Sequence, residues 1–154
     1  MTTARTAPKR APAETGGLEL AARLRLVITR LARRLRQQAE AGVSPTQISA
    51  LATVERRGPL TLGELAACEH LQPPTVTAAV ARLEESGLVA RHVDTHDRRI
   101  ARLEITGRGR QLLARSRRRK SEYLDRRLRR LDADERATLA RAATILERIV
   151  EDGP

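Results

Sequence analysis

The 154 residues carry 30 Lys and Arg against 19 Asp and Glu, a formal charge of +11, with one Tyr as the only aromatic residue. That length suits a single domain with one aliphatic core, and the lone cysteine, Cys68, excludes an internal disulfide framework and a cysteine-based zinc site. No apolar run reaches the ~18 residues of a membrane span, and no apolar stretch follows Arg5, Lys9 and Arg10 as a secretory leader requires, so a soluble cytoplasmic protein is expected.

Residues 1–17 are rich in Ala, Thr, Pro and Gly and close on Gly16-Gly17, which predicts a disordered tail. A helical period then runs over 18–41, with Leu20, Leu24, Val27, Ile28, Leu31, Leu35 and Ala39 on one stripe and Gly42 as a left-handed stop. Ser44-Pro45-Thr46-Gln47 opens the next helix: Ser44 caps it, Pro45 lacks an N–H that would be unpaired anyway, and Gln47 closes a capping box. Ile48, Leu51 and Ala52 point inward, and the helix ends before Gly58-Pro59. Thr61-Leu62-Gly63-Glu64 is a second capping box, opening a short helix to about His70. Pro73-Pro74 fits only a first helical turn, so a third short helix starts there, buries Val76, Ala79, Val80 and Leu83, and stops at Gly87.

The period then changes from helical to alternating. Leu88 to Val93 and Ile100 to Ile105 read as two strands, with Leu103 and Ile105 on one face and Arg102 and Glu104 on the other. Asp94 to Arg99 is a polar turn. Thr106 caps a long helix over 108–131, carrying Leu112, Leu113, Ser116, Tyr123, Leu124, Leu128 and Leu131 along one side. Asp132 with Glu135 opens the last helix, 132–150, whose stripe is Leu139, Ala142, Ala143, Leu146, Ile149 and Val150. No internal repeat is present.

Charge is concentrated rather than spread. Residues 108–130 hold eleven basic residues against Glu122 and Asp125, and 18–41 hold six Arg against Glu19 and Glu40; by contrast 45–93 sums to −1 and 132–154 to −3. A field of this sign on two long helices favours a polyanion, DNA above all; the plain alternative is a solvated helix face. For the run 115–120, acidic partners within 132–152 are expected, against simple solvation.

Two short capped helices and a two-stranded hairpin, flanked by long helices, describe a mainly α fold with a small β-hairpin: a winged helix-turn-helix. The second helix of such a pair is the one shaped for the major groove. Opposite its buried side stand Pro74, Ala78, Ala81 and Glu85, flanked by Thr75, Thr77 and Arg82. Thr hydroxyls there suit a phosphate or base edge, Thr and Ala methyls suit thymine methyls, and Arg82 suits phosphate or guanine.

The ordered set Pro73-Pro74-Thr75-Val76-Thr77, Arg82-Leu83-Glu84, Gly87-Leu88-Val89, Arg91, Asp97-Arg98-Arg99 and Leu103 to Gly109 resembles the multiple antibiotic resistance regulator (MarR) family over about residues 20–150. The resemblance implies a MarR-like domain over 18–154, with helices 18–41, 108–131 and 132–150 for dimerisation and a winged helix-turn-helix over 45–106. It implies a homodimer that binds a pseudo-palindromic operator in double-stranded DNA as a ligand-responsive repressor. In that reading Arg99 enters the minor groove, Asp97 braces the loop, and Arg98 completes the motif. Ala78 departs from relatives that often carry Arg there, so the recognised sequence does not carry over. Relatives commonly take a small-molecule effector, but no residue here marks its site or identity.

A sequence-tolerant DNA-architectural protein could use the Arg-rich helix, and a winged helix can serve protein contacts alone. Cys68 reads as a quiet helical residue ahead of a redox sensor, since Glu69 adjoins it, and His70, His92 and His96 form no metal trio. No catalytic triad, phosphate loop or metal spacing occurs, so neither an enzyme nor a cofactor is expected.

Overall fold

The computed structural model describes residues 12–38, 42–94, 97 and 99–151 of the chain. Among the described residues eight elements follow in order: α1 (Pro12–Arg36), α2 (Pro45–Arg57), α3 (Leu62–Glu69), α4 (Pro73–Glu85), β1 (Val89–Val93), β2 (Ala101–Ile105), α5 (Gly107–Leu128) and α6 (Ala133–Glu151). The chain falls into two compact units, divided after Gln37.

In the first unit α1 is a 25-residue helix. It begins six residues earlier than the glycine pair suggested, so the tail expected over 1–17 is helical from Pro12 onward. Proline is preorganised for a first helical turn, and the two glycines cost about 1 kcal/mol each without breaking the ladder. The helix ends at Arg36 rather than at residue 41; Ala39 lies outside the described residues, and Gly42 has the expected positive φ of 90°. Leu20, Val27, Ile28 and Leu31 are exposed along the predicted stripe.

The second unit is built by the caps that the sequence announced. Ser44 accepts the Gln47 N–H while Gln47 reaches back to the Ser44 N–H, and Thr61 and Glu64 do the same for α3. Thr106 accepts the Gly109 N–H to open α5, and Asp132 and Glu135 reciprocate ahead of α6. The core joins Leu51 and Val54 of α2, Leu65 of α3, Val76, Val80 and Leu83 of α4, Val89, Leu103 and Ile105 of the hairpin, and Leu112 and Leu113 of α5. Each such side chain contributes about 1.5–3 kcal/mol on burial. On α2 the buried side is Gln47, Ala50, Leu51, Thr53 and Val54, whereas Ile48 and Ala52 are half-buried, a rotation of the expected stripe set by contacts with α3, α4, β2 and α5 together.

The hairpin is antiparallel, with Val89 opposite Ile105, Arg91 opposite Leu103 and Val93 opposite Ala101. Leu60 bridges the outer edge of β2 by exchanging both backbone bonds with Leu103. Hence Leu103 and Ile105 face the core, and Glu104 faces out. On α5 only the N-terminal part of the stripe and Tyr123 are buried; Leu124 is half-buried and Leu128 exposed. α6 buries no residue, although Leu139, Ile145, Ile149 and Val150 are large and apolar.

Candidate nucleic-acid interface

The turn between α3 and α4 fixes how α4 is presented. His70 adopts a left-handed conformation (φ 52°, ψ 38°), with its N–H on Ala67 O and the Leu71 N–H on Ala66 O. This is the paired closure usually given to glycine; histidine tolerates it better than most residues. Gln72 is extended, and its carbonyl accepts the Thr75 and Val76 N–H groups. Pro73 and Pro74 occupy the first turn, where no N–H is missed.

From there α4 divides cleanly. Val76, Ala79, Val80 and Leu83 are buried against α2, α3 and β1, and Pro74, Thr75, Thr77, Ala78, Ala81, Arg82 and Glu85 are exposed. All five expected α4 site residues therefore share the outer face. Among the described residues the Arg82 guanidinium has no hydrogen bond or ion pair, and it lines an open groove with Ser44, Thr46, Gln47, Thr75 and Ala78. The Thr77 hydroxyl is not free to donate outward, because it donates to the Pro73 carbonyl at 2.9 Å.

The wing is braced from inside its loop. Asp97 Oδ1 accepts the Arg99 N–H at 2.9 Å and lies 3.5 Å from Arg99 Nε, while the Arg99 side chain is 94% exposed. Asp97 N–H in turn donates to Asp94 Oδ1, and the Asp94 and Ile100 N–H groups close the loop on Ile100 O and Asp97 O. Arg98 lies outside the described residues.

Two ion pairs that sequence reading missed tie this apparatus together. Arg91 of β1 forks onto Glu84 of α4 through Nε (3.0 Å) and Nη2 (2.9 Å), and that hydrogen bond raises its pKa above the usual guanidinium value. Arg102 of β2 bonds Asp94 and lies 3.6 Å from Glu64 at the start of α3. The Asp94 bond, opposed by desolvation and helped by the charges of Asp94 and Glu64, raises its pKa as well. Glu84 and Arg91 stand seven positions apart across a turn, so no helical or strand spacing signals them. Within the Arg-rich run of α5, Arg118 pairs with Glu122 one turn on and Arg117 with Glu55 of α2. The cause is packing, since α2 lies against α5. Cys68 meets the cation that its sequence neighbours did not offer, the Arg57 Nη1 at 3.2 Å, while Glu69 takes the Thr53 hydroxyl instead.

A helix with one face buried and the other bare, beside a hairpin with an extended arginine, defines a winged helix-turn-helix protein. The MarR family model matches residues 43–101, from the start of α2 into β2. An uncharacterised HTH-type transcriptional regulator of Mycobacterium leprae is 35% identical over 136 residues, covering 88% of this chain and 95% of its own. The crystal structure of a Pseudomonas aeruginosa protein superposes with a TM-score of 0.80 at 34% identity, over 95% of this chain and all of that one. A MarR family protein of Bacillus stearothermophilus gives 0.76 at 27% identity, over 92% of this chain and all of its own. The chain belongs to the MarR family of helix-turn-helix transcriptional regulators; that membership makes it a regulator and not an enzyme.

Proposed function

We propose that a homodimer of this chain binds a pseudo-palindromic operator sequence-specifically and represses transcription by occupying it. The observation that carries this reading is the division of α4, whose inner face is core and whose outer face holds Pro74, Thr75, Thr77, Ala78 and Arg82, the last with no partner among the described residues. Such a helix fits the major groove, about 12 Å wide. Arg99, exposed and aimed by Asp97, is suited to the enhanced negative potential of a narrow minor groove, with Arg98 beside it in sequence.

Dimerisation is supported by the apolar residues that the chain leaves bare. On α6 Leu139, Ile145, Ile149 and Val150 are exposed, and on α1 Val27, Ile28 and Leu31 are exposed, in each case an apolar face that a second copy would cover. Two-fold symmetry would then set two reading helices one DNA turn apart, about 34–36 Å.

The test is binding to DNA from beside the chain's own gene against random duplex, at two salt concentrations. Specific sites bind typically 10³-fold or more tightly than random DNA, and Arg99→Glu removes that preference. Equal affinity for both duplexes refutes specificity, since a steep salt slope by itself reports only phosphate contacts. A footprint that spreads along the duplex favours the architectural alternative. Sedimentation at twice the 17.1 kDa chain mass, reduced to one by Ile149→Asp, checks the dimer.

A further inference from the structure

The outer face of α4 is poor in hydrogen-bond donors. Pro74, Ala78 and Ala81 form its centre, opposite Val76, Val80 and Leu83, and none of the three has a polar side-chain atom; Glu85, on the same side in the last turn, carries a carboxylate that accepts but does not donate. Thr77 flanks this ridge and supplies no donor either. A hydroxyl has one proton, and that of Thr77 is spent on the Pro73 carbonyl at 2.9 Å, which leaves its methyl group and oxygen lone pairs for any partner. The donors that remain, the Thr75 hydroxyl and the Arg82 guanidinium, stand on the other flank.

In the major groove guanine offers acceptors at N7 and O6, adenine an acceptor and a donor, and cytosine a donor. Thymine has an acceptor at O4 and is alone in also projecting an apolar group, its 5-methyl. A ridge of methyl and methylene groups leaves purine acceptors unpaired on contact, a cost for each polar edge that loses water, whereas it packs against thymine methyls without such a cost. We propose that α4 selects its half-site through thymine 5-methyl groups seated on Pro74, Thr77, Ala78 and Ala81, and that Thr77 acts through its methyl group and not as a hydroxyl donor. This rests on the reading of α4 as the helix that enters the major groove. Guanine recognition is then confined to the flank that Arg82 reaches.

The experiment selects duplexes with the full-length chain from a randomised pool and resynthesises the enriched sequence with deoxyuridine at one thymine at a time. The expected result is an enriched half-site with thymines at which loss of the methyl weakens binding about fourfold, equivalent to the ~0.8 kcal/mol of one buried methyl. Thr77→Ser, which keeps the hydroxyl and loses the methyl, no longer distinguishes thymine from deoxyuridine at one of these positions. Thr77→Val, which keeps the methyl shape and loses the hydroxyl, still does. Helical circular dichroism confirms that both variants fold. An enriched sequence indifferent to deoxyuridine everywhere, or a Thr77→Ser chain as discriminating as the original, overturns the inference while leaving site-specific binding intact. A pool with no enriched sequence overturns the underlying reading instead.

Discussion

Gly109→Ala tests a close approach of backbone to backbone, that of the first turn of α5 to the base of the wing. A Cβ at this buried glycine would lie 2.2 Å from the Leu88 carbonyl oxygen, 2.7 Å from Ile105 Cγ1 and 3.2 Å from the Leu88 carbonyl carbon. The carbonyl has no rotamer by which to yield, and it accepts the Thr106 N–H at 3.1 Å, while the Thr106 hydroxyl donates to Gly87 O at 2.7 Å. Restoring ordinary contact needs about 1 Å of separation between α5 and the turn after α4, which strains both bonds. Two terms oppose each other: alanine is better than glycine in a helix by ~1 kcal/mol, but overpacking costs ~1–3 kcal/mol and each weakened bond ~1 kcal/mol. The second set wins, for a net loss of about 2–4 kcal/mol. At this chain length that lowers Tm by roughly 5–15 °C, read in thermal and urea unfolding at fixed protein concentration, because the Tm of the proposed homodimer would depend on it. Gly107→Ala, on the same turn with nothing within 4 Å of its Cβ, is the control and should be neutral or slightly stabilising. A Gly109→Ala chain as stable as the original refutes the argument.

Three further outcomes follow from the same geometry. Ser116 is buried with a hydroxyl that has no partner among the described residues, so Ser116→Ala should raise stability by about 1 kcal/mol, and a comparable loss in urea unfolding would contradict it. The Glu64 carboxylate is held below its ordinary value of 4.5 chiefly by the Thr61 N–H, then by the Thr61 hydroxyl, with desolvation opposing and the Arg102 charge helping. A depressed acid contributes stability that is complete above its unfolded pKa and lost as pH falls through the folded one. Glu64→Gln should therefore flatten the fall of Tm below about pH 4.5, and an unchanged acid limb would exclude the effect. The Arg91–Glu84 pair keeps roughly a third of each side chain in solvent, so a double-mutant cycle with Arg91→Met and Glu84→Gln should give a coupling below ~1 kcal/mol, diminished by salt.

Much of the fold was legible because its rules are local. Ser44 with Gln47, Thr61 with Glu64 and Asp132 with Glu135 act across three residues, and prolines at 45, 73 and 74 forbid a ladder only at their own positions. Alternation places Leu103 and Ile105 inward, and the helical period places Val76, Val80 and Leu83 there too, so the outer face of α4 is legible in the sequence. The start of α1 escaped this reading because Gly16-Gly17 carries a coil preference that the longer helix overrides. His70 as a left-handed cap escaped it too, for want of a glycine.

By itself, then, the order of residues determined the elements, the inner and outer sides of α4 and the exposed charge of the wing. Tertiary structure alone decided that Arg91 reaches Glu84, that Arg117 meets Glu55, that Gly109 must be bare of a side chain, and that the Arg57 cation stands beside Cys68. The reason is one of range. Caps and periods are written in dihedrals a few bonds apart, whereas these contacts exist only after separate elements have been pressed together by the burial of Leu51, Leu65, Leu83 and Leu103.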